Sequence, residues 1–386
     1  MSLQAFYSFD GVGSGVQGND GVAATAPAHG VGLVGTRNAA LTTYLYSKLP
    51  AQNAIGVTGL PQHQIGKDGE KRNPIIIFRN TPVLNITAGA RMMLVENFNA
   101  STNRSWRVIA GFTYKDLTSQ EPTLGYAMVS AWRNTSRMGL INRRNDGKLA
   151  IGSEIMDVER NREYYIEIEL FYDAPEKPAS SNPVSARVYI DNQLIYTWDR
   201  SLGGLATSGA TVGIEVGYPD HGSNPFPMYM AVGDIYVVNH EGEPPYNDRL
   251  GPQKVRYVTA VAADAANWEL TGAADVTTAL TDGSDSSYIQ SPLDDATVNA
   301  MFDLNLHQGS VLNGLQVVAR GSRDNGATRP MTTTIVTGGS EIQESKVSFG
   351  TVLADALLTK YMPSRTSDMA VLQGPALDTL QIKVKV

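Results

Sequence analysis

Apolar and polar positions alternate most regularly between Glu163 and Trp198. The run EYYIEIELFYD puts Ile166, Ile168 and Leu170 on one face and Glu167 and Glu169 on the other. A period of two with a charged opposite face predicts a half-buried antiparallel strand whose carboxylates point to solvent. After the loop APEKPASSNPVS, the run ARVYIDNQLIYTW repeats the alternation, with Val188 and Ile190 before Asp191-Asn192 and Leu194 and Tyr196 after it. Asp and Asn both tolerate positive φ, so this doublet predicts a two-residue hairpin turn. No helical period interrupts the stretch.

The same reading along the chain predicts strands over 4–9, 74–79, 91–97, 106–114, 125–133, 149–151, 212–216 and 229–238, with Asn145-Asp146-Gly147 as the strongest turn signal. Residues 10–36 are rich in Gly and Ala and carry no aromatic side chain. Such a segment buries little apolar surface, so it reads as an extended arm that orders against a neighbouring subunit. Residues 241–252 hold three prolines and no apolar alternation and read as a linker. Beyond it, strands are expected at 254–258, 312–320, 332–336 and 381–386, the last one paired in a sheet. The fold class is therefore all-β: two β-sandwich domains in series, 1–240 and 253–386.

Two stretches carry a resemblance. The series Y-Y-I-E-I, A-R-V-Y-I-D-N-Q-L-I-Y and the late strand Met230-Ala231-Val232-Gly233-Asp234-Ile235-Tyr236-Val237 resemble the central strands of concanavalin A-like (laminin G-like) jelly rolls over residues 1–240. The series N-W-E-L, D-G-S-D-S-S-Y-I, G-L-Q-V-V-A-R-G-S-R-D and L-D-T-L-Q-I-K-V-K-V is similar to β-sandwich modules of tailed-bacteriophage virion proteins over residues 253–386. The second resemblance implies a place in a virion and no particular reaction.

Composition narrows the partners. Only 18% of the 386 residues are charged, the net charge is −7, and no Lys/Arg cluster marks a nucleic-acid face. There are no cysteines, which excludes disulfides, thiolate metal sites and cysteine nucleophiles. The opening MSLQAFYSFDG has no basic and apolar leader, and no apolar run is long enough to span a bilayer, so synthesis in a host bacterial cytoplasm without membrane insertion is expected.

Candidate chemistry is sparse. Glu167 and Glu169 lie about 7 Å apart on one strand face, but no third acid follows, so they read as a solvated face rather than a glycosidase pair. His29, His63, His221, His240 and His307 show no metal-ligand spacing. Asp282–Ser287 lacks the closing Glu and flanking helices of a helix-loop-helix calcium site, and reads as a self-capping turn. Gly11–Gly15 has no strand-to-helix context for a nucleophile elbow. Four sequons, at Asn85, Asn99, Asn103 and Asn134, read as chance matches. Trp132 and Trp198 suit core positions. The loop holding Tyr218, Asp220, His221, Asn224 and Phe226 combines rings, an acid and an amide and is the candidate glycan site.

These readings together give an expectation. The chain is a non-enzymatic virion structural protein of a tailed phage, part of a tail, fibre or collar appendage, with no cofactor and no catalytic or metal-binding residues. Its partners are other virion proteins and copies of itself, a trimer being favoured. The alternative is a lectin-like receptor binder for host-surface glycan. A glycan hydrolase comes third.

Overall fold

A computed structural model describes residues 3–7, 16–17, 62–67, 74–80, 91–100, 105–116, 125–133, 136–160, 162–173, 184–202, 210–217, 228–239, 248–253, 258, 260–281, 286–291, 295–304, 312–323, 330–352, 354–361 and 380–386. The first module contains β1 (Leu3–Tyr7), β2 (Val16–Gln17), β3 (Gln62–Lys67), β4 (Pro74–Asn80), β5 (Arg91–Ala100), β6 (Trp106–Asp116), β7 (Tyr126–Arg133) and β8 (Ser136–Arg143). It continues with β9 (Leu149–Ile151), β10 (Glu154–Met156), β11 (Glu163–Tyr172), β12 (Val184–Ile190), β13 (Gln193–Leu202), β14 (Ala210–Gly217) and β15 (Met228–Asn239).

They form a jelly-roll sandwich. A nine-stranded sheet runs β13-β12-β11-β6-β15-β4-β3-β2, with β1 also paired to β15, and a six-stranded sheet runs β10-β9-β8-β7-β14-β5. Every pairing is antiparallel. The core between the sheets takes Ile166, Ile168 and Leu170 from β11, Val108, Ala110 and Phe112 from β6, Val188 from β12, and Val129, Leu140 and Ile214 from the facing sheet. The alternation legible in the sequence is what places these side chains on one side. The expected hairpin turn forms, with φ of 48° at Asp191 and 72° at Asn192, and the Asn-Asp-Gly turn joins β8 to β9 with Gly147 at φ 84°. Trp198 is half-buried against the core.

One polar pair is built into this core. Arg143, at the end of β8, donates to Asp116, at the end of β6, at 2.7 Å, and both side chains are sealed from solvent. The pair ties the two sheets together at one end of the sandwich. Beside it, burial and the Asp116 charge push the Tyr114 hydroxyl well above its ordinary range.

The second module is a smaller sandwich of β16 (Ala260–Ala266), β17 (Glu269–Thr271), α1 (Val276–Thr281), β18 (Tyr288–Gln290), β19 (Thr297–Phe302), β20 (Leu315–Gly321), β21 (Met331–Thr337), β22 (Ser340–Val347), β23 (Ala354–Tyr361) and β24 (Leu380–Lys385). A five-stranded sheet, β16-β19-β24-β21-β22, packs Ile335, Leu380 and Ile382 towards Leu315 and Val317 of the β20-β23 ribbon. β24 lies between β19 and β21, so the expected pairing of the last run is met. The short helix α1 was not expected. Asp275 caps it, accepting the Thr278 N–H at 2.8 Å.

Strand β22 (SEIQESKV) was missed because it is a mostly polar edge strand with no apolar alternation to read. Of the arm, Val16–Gln17 pairs with β3 of the same chain, whereas the sequence reading placed the arm against a neighbour. The rest of 10–36, and the strand expected at 254–257, lie outside the described residues.

Replacing Arg143 with Leu takes the guanidinium away from the buried Asp116 carboxylate. We expect the loss to be roughly 3–5 kcal/mol of unfolding free energy, against a smaller loss for the double change Arg143→Leu with Asp116→Leu. Urea denaturation of both variants measures the difference.

Candidate functional site

The outer face of the nine-stranded sheet, away from the core, carries a cluster of buried acids with their charged and polar partners. On β11 this face presents Tyr165, Glu167, Glu169 and Phe171. Glu167 stands opposite Gly111 of β6 and Tyr189 of β12, and Glu169 stands opposite Ile109 and Arg187. The expectation of a solvated acidic face is corrected here: Glu167 is 0% exposed and Glu169 is 2% exposed. The reason is that residues 248–251, read as part of a linker, lie across this face.

Each contact of that segment is specific. Arg249 donates to Glu167 Oε2 at 2.7 Å and to Asn192 Oδ1 at 3.2 Å, and its guanidinium sits 3.6 Å above the Tyr189 ring. The Gly251 N–H donates to Glu167 Oε1 at 3.0 Å, and the Leu250 N–H to the Tyr236 hydroxyl at 3.1 Å. Tyr236 in turn donates its hydroxyl proton to Glu167 Oε1. Burial, and then the adjacent carboxylate, hold that hydroxyl well above the usual phenol range, so it remains a donor. The Leu250 side chain packs on Ile109, Tyr165, Tyr236 and Val238.

Backbone features of two strands make this possible. In β15 the register with β6 slips between Gly233 and Tyr236, and Asp234 takes a positive φ of 47°. This bulge sets Tyr236 opposite Gly111. Asp234 is fixed by Thr113, whose hydroxyl donates to it at 2.8 Å, and its carbonyl accepts from Tyr165 at 3.1 Å. The Tyr236 ring crosses over Gly111, where a Cβ would come within 2.2 Å of ring carbon. Glycine is therefore required at 111 for the ring to reach Glu167.

Glu169 is held separately. Arg107 Nε lies 2.8 Å from Oε1, and Arg187 Nη1 donates to Oε2 at 3.2 Å. Arg107 also meets Asp248 at 3.5 Å, and Arg187 stacks 4.4 Å above the Phe171 ring. Both arginine side chains stay about one-third exposed. Glu167 is thus met by a guanidinium, a backbone amide and a phenol, and Glu169 by two guanidinium groups.

The glycan-site candidates Tyr218, Asp220, His221, Asn224 and Phe226 lie outside the described residues, as do residues 282–285 of the Asp/Ser turn and the side chain of Trp132. Among the described residues, no cluster of His, Asp and Glu that could hold a metal ion is found, and no helix is long and apolar enough to cross a membrane. Sequence reasoning missed Arg107, Arg187, Tyr236 and Arg249. One signal was available: Arg107, Glu169 and Arg187 occupy outward positions on three strands that are sheet neighbours.

No family model matches the chain, and no curated protein matches it. Among solved structures it is similar to the endo-β-1,4-glucuronan lyase of the fungus Trichoderma reesei, at 11% identity and a TM-score of 0.33 over 47% of this chain and 88% of that one. It is similar to an alginate lyase of polysaccharide lyase family 7, at 12% identity and a TM-score of 0.29 over 46% and 82%. A Trypanosoma rangeli sialidase gives 13% identity and a TM-score of 0.26 over 47% of this chain but only 28% of that chain. The expectation that the chain is not an enzyme is corrected on this finding, since these neighbours are lyases and a sialidase.

Three outcomes are expected. Gly111→Ala displaces the Tyr236 ring and lowers stability by roughly 1–3 kcal/mol, read from the denaturant midpoint. Arg249→Ala leaves a buried carboxylate without its cation and costs roughly 3 kcal/mol. Glu167→Gln keeps an acceptor for Tyr236 and Gly251 and costs roughly 1–2 kcal/mol. Equal losses at Arg249 and Glu167 in calorimetry would contradict this ordering.

Proposed function

We propose that the chain is a structural protein of a tailed-phage particle, part of a tail, fibre or collar appendage, that works through subunit contacts. The observation that supports this reading most is the closure of the sheet's outer face by the chain's own residues 248–251. A jelly roll that takes a ligand across a sheet keeps that sheet open. Here Leu250 fills the face and Arg249 consumes the Glu167 charge, which leaves a packed slab suited to contact with neighbouring subunits. The resemblance of residues 253–386 to virion β-sandwich modules points the same way, and a virion place implies partners among other virion proteins and copies of the chain.

A second reading, a lectin-like binder of host-surface glycan, is favoured by one observation. Beside the closed region, Arg107 and Arg187 keep part of their surface in water next to Phe171. Cations beside a ring suit an acidic sugar.

One experiment separates the readings. Purified full-length protein is sized by light scattering and offered both to particles assembled without it and to immobilised acidic oligosaccharides. A homo-oligomer that restores particles and passes the sugar column supports assembly. A monomer that does not enter particles sinks it. Retention that salt reverses supports the glycan reading instead.

A further inference from the structure

We infer that Gln253 is the pin of a rigid joint that fixes the second module to the jelly roll, so that the Pro-rich segment ends in a clamp rather than a free tether. This inference rests on side-chain geometry and does not depend on the phage reading.

Gln253 is engaged from three sides. Its backbone N–H bonds to the Tyr165 hydroxyl, which itself is anchored on the Asp234 carbonyl at 3.1 Å. Its side-chain amide donates to the Leu250 carbonyl at 2.8 Å, folding the segment back on itself. Its side-chain carbonyl accepts from Asn313 Nδ2 of the second module at 2.7 Å. One residue therefore bonds to the jelly-roll sheet, to the segment lying on it, and to the next module.

The flanking residues are anchored too. Leu250 packs into the outer-face cluster of the jelly roll, and Val258, eight positions on, packs against the core of the second module. Eight residues span at most about 26–29 Å when extended, and the hydrogen bonds at Gln253 shorten the usable slack. Gly251 and Arg249 add their bonds to Glu167 on the same side of the joint. A free linker would leave these donors and acceptors to water. Here they pair with one another across the joint, and two of them satisfy the buried Glu167 carboxylate, as at an interface rather than along a spacer.

The absence of cysteine makes the test clean. Ser153→Cys on the jelly roll and Ser340→Cys on the second module, both exposed positions, accept a dye pair in the full-length chain. Single-molecule energy transfer is then compared with and without the changes Gln253→Ala and Asn313→Ala. We expect one narrow distance distribution in the parent and a clearly broadened one in the variant, with the same far-ultraviolet circular dichroism. Arg249→Ala, introduced separately, should broaden the distribution as well. Equal widths in parent and in both variants, whether narrow or broad, overturn the inference.

Discussion

The outer face of the jelly roll depends on one electrostatic problem and its solution. Glu167 is a carboxylate with no access to water, and an isolated charge in that position would cost several kcal/mol. Its two oxygens are met by a guanidinium and a backbone amide from residues 248–251 and by a phenol from β15. Removing the guanidinium leaves the phenol and the amide facing an uncompensated charge. The Gly111 cleft, the β15 bulge at Asp234 and the course of residues 248–251 all follow from bringing those donors to one point.

This arrangement changes how the acidic positions of β11 read chemically. A pair of glutamates two residues apart suggests either acid/base work or a wet strand face. Each carboxylate is instead held by arginine, Glu167 by Arg249 and Glu169 by Arg107 and Arg187. The Tyr236 hydroxyl, pushed up by burial and by Glu167, is a poor proton source at neutral pH. The face behaves as a bonded interface.

Much of the fold was legible because sheets with one apolar face write their register into the sequence. Ile166, Ile168 and Leu170 announced β11, Asp191-Asn192 announced the hairpin, and Gln381 to Val386 announced β24. The burial of Glu167 and Glu169 was not legible, since alternation reports which residues share a face but not what covers the polar one. The cover comes from residues 80 or so positions later: Arg249 to Glu167 spans 82 residues and Gly251 to Glu167 spans 84. Pro-rich composition argued for a tether there, and composition carries no information about a single arginine finding a buried acid. Polar edge strands such as β22 failed for a related reason, having little apolar surface to pattern.

The bulged strand β15 has a consequence for the order of events during folding. It pairs with β1, β6 and β4, so it stands in the middle of the nine-stranded sheet, yet it comes late in the jelly roll. The Thr113–Asp234 bond closes across 121 positions. Until β15 arrives, β1 and β4 have no route to the rest of their sheet, and the core-facing side chains of β6 and β11 remain half-covered. Closure across such separations is slow because the entropy of a large loop is lost before the contacts are gained. While β15 is unpaired, β4 and β6 keep open strand edges, the condition under which neighbouring chains trap one another.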